Sequence, residues 1–276
     1  AVPAADAYKS EIEEWRAKRE AELKSDTGWL TVAGLFWLHE GDNRAGTDPQ
    51  ASIVLPTGAK SIGSFQFVKG KVTFVRAPGA AVSLNGNPVN GSAHLQSDED
   101  GAKADVLEYQ DITMFVIKRG TRSAVRMRDK NSKMRREFSG EHWFPVREDM
   151  RFEAKFVSYP EPKMVPIPNI LNEVEQEKSI GYATFTYQGH EYTLEPVIEE
   201  DHLFYIFKDQ TAGKETYGAG RFLYSEMPQN GHVILDFNQA VNPPCSFTPF
   251  ATCPLPPKQN RLAVRIEAGE LKYGDH

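Results

Sequence analysis

Ten of the chain's eighteen prolines fall in two short stretches, four in PEPKMVPIPN (160–169) and six in DFNQAVNPPCSFTPFATCPLPPKQNRL (236–262). Proline has no backbone N–H and fixes its own φ, so neither stretch suits a helix interior or a central strand. The first predicts a connector over residues 160–172. The second predicts a strand running into a long loop. Loops of about 20 residues are uncommon unless functional or disordered. Here prolines lower the entropy lost on ordering, Phe247 and Phe250 supply apolar anchors, and both cysteines of the chain lie inside. The loop is therefore expected to be ordered, as a lid or wall beside a site.

Elsewhere the chain reads as short strands joined by turn residues. SFQFV and KVTFV (64–75) meet at Lys69-Gly70, AVSLNGNPVN (81–90) turns at Asn85-Gly86, and ITMFVIKRGTRSAVRMRD (112–129) turns at Gly120. Asn-Gly between β-formers is a strong two-residue hairpin signal. GYATFTYQGHEYTLEPVIEE (181–200) turns at Gln188-Gly189, residues 203–241 read as a three-stranded meander, and LAVRIEAGE (262–270) as a last strand. One helix is expected over 6–25, where Tyr8, Ile12, Trp15, Arg19 and Leu23 recur every three to four residues and form a stripe suited to docking. The expectation is a mainly β, β-rich α+β chain: an N-terminal amphipathic helix followed by two antiparallel sandwich- or barrel-like subdomains. The boundaries are a helix and apolar entry segment (1–48), a first β subdomain (49–159), the connector (160–172) and a second β subdomain (173–276).

With 276 residues, 25% of them charged, and a net charge of −6, the chain suits a substantial core and argues against a general nucleic-acid or anionic-membrane binder. The longest apolar run, WLTVAGLFWL (29–38), is too short to span a membrane. The small-residue start AVPAADAYKS resembles a mature end left by signal-peptide cleavage, although a chain begun mid-sequence would look the same. A secreted or periplasmic location is the expectation, with a cytoplasmic one as the alternative. In an exported chain Cys245 and Cys253 default to a structural disulfide; otherwise they read as two buried free thiols. Their spacing fits no zinc pattern, so no metal is expected.

No nucleophile elbow, zinc-protease helix, phosphate loop or dinucleotide fingerprint occurs, and the seven histidines are scattered, so no cofactor is expected. Arg122, Arg126 and Arg128 share one face of a strand; this reads as a solvated face, with an anion-binding surface as the sharper alternative. In the second half, Arg221 lies in TYGAGRFLYS, and Asp236 and Asn238 share a parity in VILDFNQAV. A hairpin centred between Pro228 and Gln229 places Arg221 opposite Asp236. Charges on an apolar sheet must be paired or wet, so this register predicts either a buried bridge or a polar pocket. The turn KDQTAGKET brings Asp209, Thr211, Lys214 and Thr216 near Gly213, and Gly218 and Gly220 mark a close approach by a ligand or by the proline-rich loop.

Three blocks, WLTVAGLFWLHEGDNRAG (29–46), FKDQTAGKETYGAGRFL (207–223) and the stretch 236–262, resemble the bacterial domain-of-unknown-function family 1684 (DUF1684). The resemblance implies no activity. Its characteristic blocks fall here on Asp209, Thr211, Gly213, Lys214, Thr216, Tyr217, Gly220, Arg221, Asp236, Asn238, Asn242, Cys245, Cys253, Asn260 and Arg261. VSLNGNPV (82–89) faintly resembles a forkhead-associated-type sandwich.

These residues support three functional expectations. In the first, a small anionic or polyhydroxylated ligand is held by Lys214, Thr216, Tyr217, Arg221, Asp236, Asn238 and Asn242. In the second, a hydrolase or lyase uses Asp236 or Asp209 as its catalytic acid/base, with Arg221 stabilising developing charge. In the third, the polar cluster only organises the fold.

Overall fold

Hairpins with one apolar face must bury that face, and residues 24–138 do so by closing two sheets over one core. The computed structural model describes residues 5–274 and divides into two units, one of residues 24–138 and one combining the chain up to residue 23 with residues from 139 onward. In the 24–138 unit a six-stranded sheet runs in the order Val32–Trp37, Arg122–Asp129, Ile112–Arg119, Leu107–Tyr109, Ser83–Leu84, Asn87–Pro88. A five-stranded sheet runs Ile53–Val54, Gly41–Gly46, Gly63–Val68, Lys71–Arg76, Ser92–Leu95. Phe65, Phe74, Leu107, Met114, Val116 and Val125 fill the core. The expected hairpins form; at Asn85-Gly86 both residues take positive φ, 49° and 79°, as the tight primed turn requires.

The arginine row faces solvent only in part: Arg122 is exposed, as expected, but Arg126 and Arg128 are not. Arg122 lies 3.9 Å from the Trp37 ring centroid, Arg126 5.2 Å from Trp29 and Arg128 4.7 Å from Phe115; Arg126 is buried and Arg128 partly so. The long guanidinium side chains cover aromatic surface while keeping their charge.

In the other unit the helix Ala5–Lys24 forms where the periodicity places it, with Tyr8, Ile12 and Leu23 buried. Trp15 packs edge-on to Trp143, with centroids 5.9 Å apart. A four-stranded sheet runs His190–Leu194, Val174–Tyr187, Arg151–Pro168, His232–Asp236, and a three-stranded sheet Val197–Glu199, His202–Phe207, Arg221–Glu226. Phe185, Tyr205, Phe207, Leu223, Leu235 and Phe237 join the core. The molecule is thus mainly β, with an N-terminal helix and antiparallel sheets; no barrel closes among the described residues.

Three expectations need correction. The proline-rich segment 160–168 is not a connector but the outer half of strand Arg151–Pro168, and the division between units falls at residues 138/139. Prolines are tolerated there because the neighbouring strand His232–Asp236 pairs only with Arg151–Lys155, leaving the rest an edge, and because the register slips between Ser158 and Lys163. The meander ends after two strands. The chain turns at Asn230-Gly231, and His232–Asp236 leaves for the other sheet. LAVRIEAGE is not a regular strand; single bridges tie Arg261 to Lys208 and Glu270 to Trp143. Residues 1–4, which carry most of the small-residue start, lie outside the described residues.

Candidate functional site

The sequence-derived site residues separate into distinct clusters. Arg221 pairs across the ladder with Phe207, not Asp236, and Asp236 pairs with Arg151. Arg221 is fully buried. It donates to Asp209 Oδ2 at 2.7 Å, to the Ile266 carbonyl at 2.9 Å and to the Ala268 carbonyl. Asp209 Oδ1 accepts from the Thr211 N–H and hydroxyl at 2.7 and 2.6 Å, and Thr211 meets the Thr216 hydroxyl at 2.8 Å. Burial pulls the Arg221 pKa down, opposed by Asp209 and Glu270. Asp209, Thr211, Thr216 and Arg221 therefore form a buried bridge that ties the 202–226 sheet to the 261–270 segment.

Asp236 meets a partner that no spacing in the sequence could reveal. The Tyr8 hydroxyl, from the N-terminal helix, lies 2.9 and 2.8 Å from its two oxygens. Asn238 Nδ2 donates to Asp236, Tyr8 and the Arg147 carbonyl, while its Oδ1 accepts from the Arg147 N–H at 2.9 Å. Burial, then the charge of Asp236, push the Tyr8 hydroxyl pKa up. Every side-chain polar atom of Asn238 is occupied, so this cluster is a dock for the helix. Lys214 is exposed at the turn, away from both clusters' hydrogen bonds.

The proline-rich loop is an ordered wall. Asn260 pins it by accepting from the Glu195 N–H and donating to the Glu195 and Ile206 carbonyls. A Cβ at Gly220, whose φ is +110°, would come within 2.5 Å of the Phe207 carbonyl and 2.6 Å of Pro256, so the close approach marked by that glycine is made by the neighbouring strand and by the loop. The expected disulfide is absent. Cys245 and Cys253 are free, with the Cys245 N–H donating to Cys253 Sγ at 3.2 Å. The Tyr217 hydroxyl donates to the Cys245 carbonyl at 3.4 Å. The Cys253 sulfur, joined by the Tyr217 hydroxyl, lowers the Cys245 thiol pKa against the opposing effect of burial.

Of the site residues expected in the second half, Asn242 leads to groups whose hydrogen bonds are incomplete. The Glu270 carboxylate is wholly buried and accepts from Arg19 Nε at 3.1 Å and from the Asn242 N–H. Arg19 also donates to the Asn242 carbonyl at 3.2 Å. Glu141 lies next to the 142–144 segment, which pairs with residues 269–271. Arg16, one helical turn before Arg19, stacks on Trp143 at 4.6 Å and donates to the Phe144 carbonyl. Among the described residues, both oxygens of Glu141, Oδ1 of Asn242 and Nε of Arg16 are buried without a hydrogen-bond partner. Burial, followed by the charge of Glu270, pushes the Glu141 pKa up to about 9, while Arg19 opposes the shift. Glu270 is also pushed up by burial, but Arg19, Asn242 and Arg221 act in the other direction. The two carboxyls titrate together. The donors around Glu270 assign it the charge, and Glu141, with no donor, retains the proton at neutral pH.

Sequence reading missed Glu141, Glu270 and the polar role of Arg19 and Arg16. The available signals were an arginine inside the helix's apolar stripe and a glutamate closing an apolar run. No group of three or more metal-ligating side chains occurs among the described residues, and none of their helices is long and apolar enough to cross a membrane.

The body holding this cluster is a β-rich fold with a docked N-terminal helix and a buried ion network. It overlaps the family match: residues 136–271 match the model described as "Protein of unknown function (DUF1684)", with the N-terminal helix outside the matched residues. No curated protein matches the chain. Among solved structures, an uncharacterized protein from gene locus rrnAC0354 of Haloarcula marismortui is 27% identical, covers 50% of this chain and 78% of its own, and superposes with a TM-score of 0.42. The FhaA FHA domain, crystallised with the intracellular domain of Rv3910, is 17% identical, covers 34% of this chain and 97% of its own, with a TM-score of 0.24. At these TM-scores neither likeness bears on fold or ligand.

Proposed function

We propose that the DUF1684 body binds a small hydroxyl-rich molecule at the Arg19–Glu141–Asn242–Glu270 cluster. The observation that carries this reading is the set of three buried oxygens that lack a hydrogen-bond partner, two on the protonated Glu141 carboxyl, one donor and one acceptor, and the acceptor Oδ1 of Asn242. An unsatisfied buried polar atom costs about 1–3 kcal/mol, so native chains retain few without a use. A partner for these atoms must both donate and accept hydrogen bonds, as a hydroxyl does. Of the two ligand classes expected from sequence, hydroxylated molecules fit and anions do not, because Arg221 is fully committed to Asp209 and to backbone carbonyls. Arg19, with 17% of its side chain exposed, links the cluster to solvent.

The test is a thermal-shift and calorimetric screen of hexoses, inositols and sugar alcohols on the full chain, with inorganic phosphate and dicarboxylates as contrast. A hydroxylated probe should raise the melting temperature, and Asn242→Ala and Glu141→Ala should abolish the shift. If no hydroxylated probe moves the wild-type protein, the reading is wrong.

One observation favours a second reading in the same place. A carboxyl that keeps its proton beside one that stays charged is the arrangement of an acid/base pair. Glu141 would donate and Glu270 accept a proton in a hydrolase or lyase, displacing Asp209 and Asp236 from the roles expected of them. Turnover of a bound hydroxylated probe that is lost in Glu141→Gln while binding persists would establish it; binding without turnover leaves the protein a binder.

A further inference from the structure

The 24–138 unit contains a pocket of about 530 Å³ lined by residues that include Thr27, Asn85, Lys103, Thr113 and Arg128. It forms over the outer face of the six-stranded sheet, where Glu108, Thr113 and Arg128 stand opposite one another on three successive strands. The fate of each charge in the wall decides what the pocket can hold. Asp26 is taken by Lys130 at 3.2 Å and Arg135 at 3.0 Å. Asp105 accepts from Asn85 Nδ2 and from the Gln96 N–H, both at 2.8 Å. Glu108 accepts from the Ser83 hydroxyl at 2.9 Å. Asp26 is therefore paired with cations, Lys130 among them, whereas Asp105 and Glu108 are hydrogen-bonded by neutral donors and keep their charge.

Two cations remain. Lys103 is exposed and has no ion-pair partner among the described residues. Arg128 is partly buried, rests its guanidinium 4.7 Å from the Phe115 centroid, and has a buried Nε with no hydrogen-bond partner. Burial alone lowers its pKa, with no carboxylate opposing the shift. An arginine held against an aromatic ring beside an open pocket has its planar donor edge restricted in orientation. That edge matches the two oxygens of a carboxylate or phosphate.

We infer that this pocket is a second ligand site, in which Arg128 and Lys103 hold a small oxyanion, a carboxylate or a phosphate, with the Thr27 and Thr113 hydroxyls as additional donors. The site is independent of the hydroxyl-binding reading of the other unit and takes the opposite ligand chemistry.

The test uses the full chain in NMR titrations that follow arginine Nε–H resonances, with inorganic phosphate in one arm and succinate in the other. Arg76 is the internal control, since its buried Nε also lacks a partner but it does not line the pocket. The expected result is a saturable shift of the Arg128 resonance in at least one arm, with Arg76 unmoved. Whichever arm responds identifies the oxyanion. Arg128→Lys keeps the charge but loses the fork, and should weaken that binding by about tenfold. No saturable shift in either arm, equal movement of Arg76 and Arg128, or unchanged affinity in a folded Arg128→Lys protein would overturn the inference. A response to hexoses that persists in Arg128→Lys belongs to the other unit and leaves this result untouched.

Discussion

The two units leave different kinds of polar atom unsatisfied. In 24–138 they include the arginine donors Arg76 Nε and Arg128 Nε; in the DUF1684 body they include the carboxyl oxygens of Glu141 and the amide oxygen of Asn242 beside Arg16 Nε. The units also treat buried charge differently. Three arginines of 24–138, Arg122, Arg126 and Arg128, lie over aromatic rings, where attraction to a π-face is worth about 0.5–2 kcal/mol and requires no carboxylate. The DUF1684 body pairs its buried charges in sequence: Asp209 with Arg221, Glu270 with Arg19, and Glu141 left over as the neutral member. A ring can cover a cation and leave its donor edge free, whereas a network of ion pairs consumes donors and leaves oxygens behind.

The sharpest way to break this comparison is to remove half of a pair. Asp209→Ala strands a fully buried guanidinium and should cost about 3–5 kcal/mol in denaturant unfolding. A loss below 1 kcal/mol would mean that the DUF1684 body does not depend on paired charge. Asn238→Ala removes the group that holds Tyr8, Asp236 and the Arg147 backbone together, with an expected loss of about 1–3 kcal/mol. It should also raise amide exchange in the N-terminal helix, which hydrogen-exchange mass spectrometry reads directly.

Glu141 sharpens the comparison through pH. Its folded pKa of about 9 lies above the ordinary carboxyl value of 4.5, so the folded chain keeps a proton that the unfolded chain has released. The associated stability is complete below the ordinary value and is lost as pH rises toward 9. Glu141→Gln should flatten this fall and stabilise the protein at pH 8 by up to roughly 4 kcal/mol; a wild-type stability that rises between pH 5 and 9 and is unaltered by the substitution would contradict the assignment. The smallest effect is expected in the other unit. Arg128→Gln removes one ring contact and no hydrogen bond, and should change unfolding free energy by less than about 1 kcal/mol. A larger loss would show that Arg128 has a structural partner and that the contrast between units is overstated.

The free cysteines also separate local stiffening from covalent closure. Asn260, the prolines and the close packing at Gly220 hold the loop without an S–S bond. Thiol titration of the native protein should find two free thiols after denaturation under non-reducing conditions, and the double Cys→Ser variant should melt close to the wild type.

Local pattern alone determined the N-terminal helix, the hairpins at Lys69-Gly70, Asn85-Gly86, Gly120 and Gln188-Gly189, and the order of the proline-rich loop. Periodicity and turn chemistry act over a few residues and can be read from a few residues. Tertiary structure decided which strands meet. Arg221 and Asp236 are fifteen positions apart with a turn between them, yet they belong to different sheets, because the chain bends at Asn230-Gly231 and carries Asp236 to Arg151 and Tyr8. The same long-range packing brought Arg19, Glu141, Asn242 and Glu270 together. Burial and neighbouring charge, not residue type, set what such groups do, and both depend on contacts that no stretch of sequence contains.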